Sequence, residues 1–178
     1  MRTRPTEPFG TPRPLKHASA PWNFFGKSIM DEQPLPEDLR EFLKLLNSRK
    51  VEFLLIGGYA VAWYGYPRAT ADLDIWVAMS AKNAAKLVKV LREFGFDIAE
   101  LTSDLFLEEN KVVRLGEPPL RIEILTSIDG VDFEECYRMR NQVHFHGLKM
   151  NLISLAHLKK NKAASGRLKD LDDLEHLP

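Results

Sequence analysis

A single cysteine, Cys136, stands in this 178-residue chain, so no internal disulfide can form, and the scarcity fits a reducing compartment. No apolar run approaches the roughly 20 residues that a membrane-spanning helix requires. The opening "MRTRPTEPFGTPRPLKHASAPW" carries arginines but no apolar core of the kind a secretory signal needs. The chain is therefore expected to be soluble and cytoplasmic, with no membrane partner. Net charge is absent as well: 25 basic residues balance 25 acidic ones, so bulk charge does not mark a nucleic-acid or membrane surface. An anionic ligand would have to be held by a local site. Neither a Gly-x-Ser-x-Gly elbow nor a Walker sequence is present.

What is there suffices for one domain. With 44% hydrophobic residues, the chain can bury a core of its own but is too short for two ordinary domains. Residues 1–34 differ from the rest: Pro5, Pro8, Pro12, Pro14 and Pro21 interrupt any period, and the segment is expected to be disordered. Trp22, Phe24 and Phe25 are its residues suited to touching the body. Met30, directly before "DEQPLPEDL", offers a second start, which would place residues 1–29 outside the native protein. Residues 35–178 read as a single domain.

Pro36 suits the first position of a helix, Glu37 and Asp38 suit its positive end, and Leu39, Phe42, Leu43 and Leu46 share a face. "VEFLLI" reads as a buried strand, "YAVAWYGY" as a short helix opened by Gly57-Gly58, and "DLDIWVA" as a strand. Ser80 caps a helix striped by Ala84, Leu87, Val88 and Leu91 and stopped by Gly95. "KVVRLG" and "LRIEILT" form strands around a turn at 116–119, "FEECYRM" a short helix, and "QVHFHG" and "LKMNLI" further strands. Ser154 opens a lysine-rich helix, and after Gly166 a stripe of Leu168, Leu171 and Leu174 predicts a last one. The fold class is α/β (α+β), a small mixed sheet flanked by helices.

Two features carry chemistry. A strand that ends in Gly57-Gly58 and feeds a helix lets backbone N–H groups approach a phosphate, though a tight strand-to-helix turn uses the same residues. Asp72 and Asp74, two apart on a strand, project from one face while Leu73, Ile75 and Val77 cover the other. Such a pair suits a hard divalent cation with oxygen ligands, and equally the wet face of a half-exposed strand. "LRIEILT" alternates too, so Glu123 would complete a three-carboxylate cluster if the two strands were neighbours. Three acids together imply a metal or a raised pKa.

The order Gly57-Gly58, thirteen residues, Asp72-Leu73-Asp74 and then Glu123 resembles the DNA polymerase beta-like nucleotidyltransferase superfamily. It is most similar there to small bacterial nucleotidyltransferase-like proteins related to the abortive-infection, toxin–antitoxin enzymes. Arg68 and Thr70 before the acids, and Lys162, Arg167, Lys169, Asp170 and Asp173 near the end, extend the resemblance over residues 36–178.

The resemblance implies an enzyme that transfers a nucleoside monophosphate from an NTP to an acceptor hydroxyl and releases pyrophosphate. Asp72, Asp74 and Glu123 would bind Mg²⁺ (or Mn²⁺) and act in catalysis. Gly57, Gly58, Arg68, Thr70, Lys162 and Lys169 would bind the nucleotide. The acceptor is left open between RNA, a small molecule and a protein, as is a protein partner or homo-oligomer. The chain has Glu123 where the family usually has Asp, and Gly-Gly for the commoner Gly-Ser. A catalytically silent nucleotide- or protein-binding member of the fold is the alternative.

Other residues are read more plainly. Arg68 suits a phosphate or a neighbouring carboxylate equally, and Asp170 and Asp173 suit pairing with Lys169 or Arg167. His144 and His146 share a strand face without a third zinc ligand at suitable spacing. Cys136 falls on the apolar side of its helix with Phe133 and Tyr137.

Overall fold

A computed structural model describes residues 6–7, 35–68, 70, 72–117 and 120–178. Helix α1 (Glu37–Ser48) is capped by Pro36, one residue outside the position expected for it, and buries Leu39, Phe42, Leu43 and Leu46. Strand β2 (Phe53–Leu55), fully buried, leads through Ile56 into α2 (Gly57–Trp63), and β3 (Asp72–Val77) follows. Helix α3 (Ala81–Glu93) begins where the Ser80 hydroxyl accepts the Asn83 N–H and buries the expected stripe. Strands β4 (Val112–Leu115) and β5 (Arg121–Leu125) form as read, although Pro118 and Pro119 of the turn between them lie outside the described residues. Helix α4 (Phe133–Arg138), the hairpin β6 (Asn141–Phe145) and β7 (Leu148–Leu152), and helices α5 (Leu155–Ser165) and α6 (Leu168–His176) complete the chain. Gly166, at φ 61°, supplies the left-handed residue that ends α5.

With β1 (Thr6–Glu7), the strands form one mixed sheet in the order β1-β4-β5-β3-β2-β7-β6. Its first member, β1, adds in parallel to β4 within the segment expected to be disordered; the rest of residues 1–34 lies outside the described residues. Alternation along each strand sends Phe53, Leu55, Leu73, Ile75, Val77, Ile122 and Ile124 to one face, where α1 and α3 cover them in the larger core. The opposite face carries Leu54, Trp76, Val112 and Leu125, covered by Cys136 of α4 and Leu158 of α5. Cys136 is thus core, as its helix position indicates. Among the described residues no helix is long and apolar enough to cross a membrane.

Asn83 is the polar residue that ties the two layers together. Its side chain accepts the Glu52 N–H at 2.8 Å and donates to the Glu52 and Ala78 carbonyls at 3.0 and 3.1 Å, satisfying backbone groups just before β2 and just after β3. Asn83→Ala is expected to remove about 2–3 kcal/mol of stability, because buried backbone groups lose their partners. A lowered urea midpoint at unchanged slope is the reading that checks it.

The last helix departs from its sequence pattern. Leu168 is 87% exposed and Leu171 is also exposed, while α6 buries Asp170 and Asp173. Sequence periodicity locates a helix face but not its environment. Here the buried side lies against cations, so the acids turn inward and the expected leucine stripe does not form the buried face.

Candidate active site

The sheet face that carries Trp76, Leu125 and Val112 is apolar only over one end. One step along the strands, Arg114 of β4, Glu123 of β5 and Asp74 of β3 stand in a row across the sheet; one step further, Arg121 stands opposite Asp72. The strands β3 and β5 are therefore neighbours, the relation that sequence alone left open. Helices α4 and α5 cover the apolar end, and the charged end lines a cavity of about 280 Å³. Gly57, Gly58, Arg68, Thr70, Asp72, Asp74, Glu123, Lys162 and Lys169 all border it.

The glycines are required by what they touch. Gly57 adopts φ +63°, and a Cβ there would lie 1.9 Å from Asp74 Oδ2; one on Gly58 would lie 2.4 Å from Thr70 Oγ1. The strand-to-helix turn and the close approach to the carboxylate are thus a single feature. Gly57→Ala is expected to cost about 2 kcal/mol or more from strain and collision, and to displace Asp74. Thermal melting compared with Gly65→Ala, where a Cβ meets nothing within 4 Å though φ is also positive, separates the collision from the backbone term.

Like charges directly opposite on adjacent strands oppose folding unless something compensates them. Burial, then the charges of Glu123 and Asp72, push the Asp74 carboxyl up to about 7, against the opposing Gly58 backbone N–H and Arg167. The other two acids face guanidinium groups. Arg121 binds Asp72 through Nε–Oδ1 at 2.8 Å and Nη2–Oδ2 at 2.9 Å, and Arg114 Nε donates to Glu123 Oε1 at 2.7 Å. The Asp72 hydrogen bond is the chief reason that Arg121 titrates above its ordinary range.

Most of the remaining cations meet carboxylates of α6. Lys162, expected at a triphosphate, is buried and directs its ammonium to Asp170 Oδ1 at 2.7 Å and Asp173 Oδ2 at 2.6 Å. Arg68 bonds Asp173 through Nε at 2.5 Å and Nη2 at 2.8 Å, while its Nη1 is buried without a hydrogen-bond partner among the described residues. Arg167 holds Asp170 at 2.6 Å, as anticipated, but Lys169 does not pair with it. Lys169 is exposed on the cavity wall. The Thr70 hydroxyl donates to the Asp72 carbonyl at 3.3 Å.

Arg114 and Arg121 are the site residues to which sequence reasoning assigned no role. Arg121 shares a strand face with Glu123, and "VVRL" alternates so that Arg114 does too; the missing information was which carboxylate lay opposite each. The three carboxylates offer hard oxygen donors on one face, which suits Mg²⁺ or Mn²⁺. Among the described residues, however, no three acidic, imidazole or thiol side chains stand ready-made as a metal-ligating group. The donor chemistry fits a cation once the arginines release Asp72 and Glu123.

No protein-family model matches the chain, and no curated protein matches it in sequence. Seven chains of solved structures resemble it, two of which are described. A candidate nucleotidyltransferase from Thermotoga maritima aligns with TM-score 0.52 and 19% identity, covering 77% of this chain and 88% of its own. An antigenic nucleotidyltransferase-like protein from Paracoccidioides brasiliensis aligns with TM-score 0.50 and 16% identity, covering 88% of this chain and 77% of its own. At these identities the likeness is one of architecture: the chain has the nucleotidyltransferase fold.

Proposed function

We propose that the chain binds an NTP in this cavity and transfers its nucleoside monophosphate to an acceptor hydroxyl. A bond forms between the acceptor oxygen and the α-phosphorus; the bond to the bridging oxygen breaks, and pyrophosphate leaves with the electron pair. The observation that carries this reading is the convergence of Gly57, Gly58, Asp72, Asp74 and Glu123 on one cavity walled by cationic side chains.

Asp72, Asp74 and Glu123 would hold Mg²⁺ (or Mn²⁺), which when bound neutralises phosphate charge and acidifies the attacking hydroxyl. Arg68 brings a buried donor, Nη1, that has no hydrogen-bond partner among the described residues, and such a guanidinium N–H beside a cavity suits an anionic oxygen. Lys169 and Arg167, both exposed at the wall, suit the outer phosphates. Gly57 and Gly58 add no side chains of their own and let Asp74 and Thr70 lie against the backbone. Asp74 would take the acceptor's proton. The acceptor is an RNA, a small molecule or a protein hydroxyl, and a toxin–antitoxin setting with a protein partner belongs to the same proposal.

A second reading has its own support. Arg121 and Arg114 neutralise two of the three acids, as befits a silent member of the fold that binds nucleotide without turning it over. Calorimetry of NTP binding with and without Mg²⁺, on wild type and on Asp72→Ala/Asp74→Ala, followed by a pyrophosphate-release assay, separates the two. Metal-dependent binding and release, both lost in the double variant, support transfer. Binding without release supports the silent reading, and transfer that survives the double substitution overturns the assigned roles.

A further inference from the structure

Asp72 borders the cavity, and its partner Arg121 stands beside the lining, one step along the sheet from the row of Arg114, Glu123 and Asp74. Arg121 and Asp72 stand directly opposite on adjacent strands, and one guanidinium engages both carboxylate oxygens, at 2.8 and 2.9 Å. Yet the pair is not locked in: the side chains retain 32% and 29% of their exposure, against 3% and 0% for Lys162 and Asp173. A half-exposed pair contributes roughly 0–1 kcal/mol, so opening it demands little, whereas the Lys162–Asp173 pair holds helices together. Arg121 Nη2 also lies 4.0 Å from Glu123 Oε1, so one flexible side chain spans two of the three acids. A phosphate offers a guanidinium the same two-oxygen target as a carboxylate.

We propose that Arg121 is a latch on Asp72: a positioning residue that closes the divalent-cation site while the cavity is empty and passes from the carboxylate to the polyphosphate when substrate enters. The inference rests on the reading that the cavity takes a nucleotide and a cation together. It adds an order to their binding. The cation alone meets an acid already neutralised; the polyphosphate draws the guanidinium away and frees Asp72. Cation and polyphosphate therefore strengthen one another, and the coupling is reciprocal. Arg114 can leave Glu123 in the same manner, but its single hydrogen bond makes it the weaker hold.

The test uses the full chain and two simple probes. Free Mn²⁺, followed by its electron paramagnetic resonance signal, is expected to bind Arg121→Gln about tenfold more tightly than wild type, and the gain should vanish in Arg121→Gln/Asp72→Asn. Arg167→Gln, which takes a charge from the cavity wall without freeing Asp72, should change the affinity by less than about threefold. Metal-free tripolyphosphate, measured by calorimetry, should bind Arg121→Gln about fivefold more weakly than wild type. If Arg121→Gln does not fold, Arg121→Lys, which keeps the charge but loses the two-pronged bond, should show a smaller gain for Mn²⁺ in the same direction. Equal Mn²⁺ affinity in wild type and Arg121→Gln, or unchanged tripolyphosphate affinity, overturns the latch and leaves the nucleotide reading standing. Absence of Mn²⁺ binding in both proteins defeats the cation site and the latch together.

Discussion

Asp173→Ala is expected to lower stability by about 3–5 kcal/mol, the largest loss available from a single polar side chain in the described structure. Asp173 is fully buried, with Arg68 on both of its oxygens and Lys162 on one. Truncation leaves the Arg68 guanidinium without its carboxylate and the buried Lys162 ammonium with Asp170 alone. Asp173→Asn, which preserves the shape and one acceptor, should lose distinctly less. Chemical denaturation of both variants checks the order.

Acid should act on the same network. Burial alone would raise the Asp170 carboxyl, but bonds from Lys162, Ser165 and Arg167 more than reverse this and hold it at about 2. An unfolded Asp titrates near 3.9, so the contribution of about 2 kcal/mol is complete well above pH 4 and disappears as pH falls toward 2. Asp173 shifts the same way, burial being outweighed by Arg68 and Lys162. The stability–pH curve of Asp170→Asn should accordingly be flatter than that of wild type between pH 5 and about 2.

If the chain transfers nucleotides as proposed, Asp74→Asn is expected to abolish that transfer, by about a thousandfold or more, while making the protein more stable by about 1–2 kcal/mol. The two effects have one origin. Asp74 stands directly across β3 and β5 from Glu123, with Asp72 two residues away, and hydrogen-bonds with no cationic side chain among the described residues. An amide of the same shape relieves the repulsion and still fits beside Gly57, but it cannot serve as an anionic ligand or take a proton. Single-turnover pyrophosphate release measures the first effect and thermal melting the second. A loss of stability, or transfer within tenfold of wild type, would sink the role given to Asp74.

The contrast between Asp74 and Asp173 indicates what could be read from the chain. Asp72 and Asp74 were legible because strand alternation is local: residues two apart share a face whatever the sheet around them. Gly57 was legible as a turn residue, yet its collision partner, Asp74, lies on another strand and no local pattern names it. Sequence suits Asp170 and Asp173 to pairing with Lys169 or Arg167, and Lys162 to a nucleotide; that Lys162 lies between the two acids is not legible there. The leucines of α6 misled, because a stripe of period 3.6 identifies a face and not what that face will meet.

By itself, the sequence determined most of the elements of this protein and the faces of its central strands. Alternation in "DLDIWV" and "RIEIL", the helix starts at Ser80 and Ser154, and the turns at Gly95 and Gly166 follow from backbone geometry and neighbouring side chains alone. Only the tertiary structure decided partnership. Strand order set Glu123 against Asp74 and Arg121 against Asp72, and helix packing turned Asp170 and Asp173 inward toward Lys162 and Arg68. Charge partnership depends on distances between residues remote in the chain, and those distances exist only once the sheet has formed and the last two helices have closed against it.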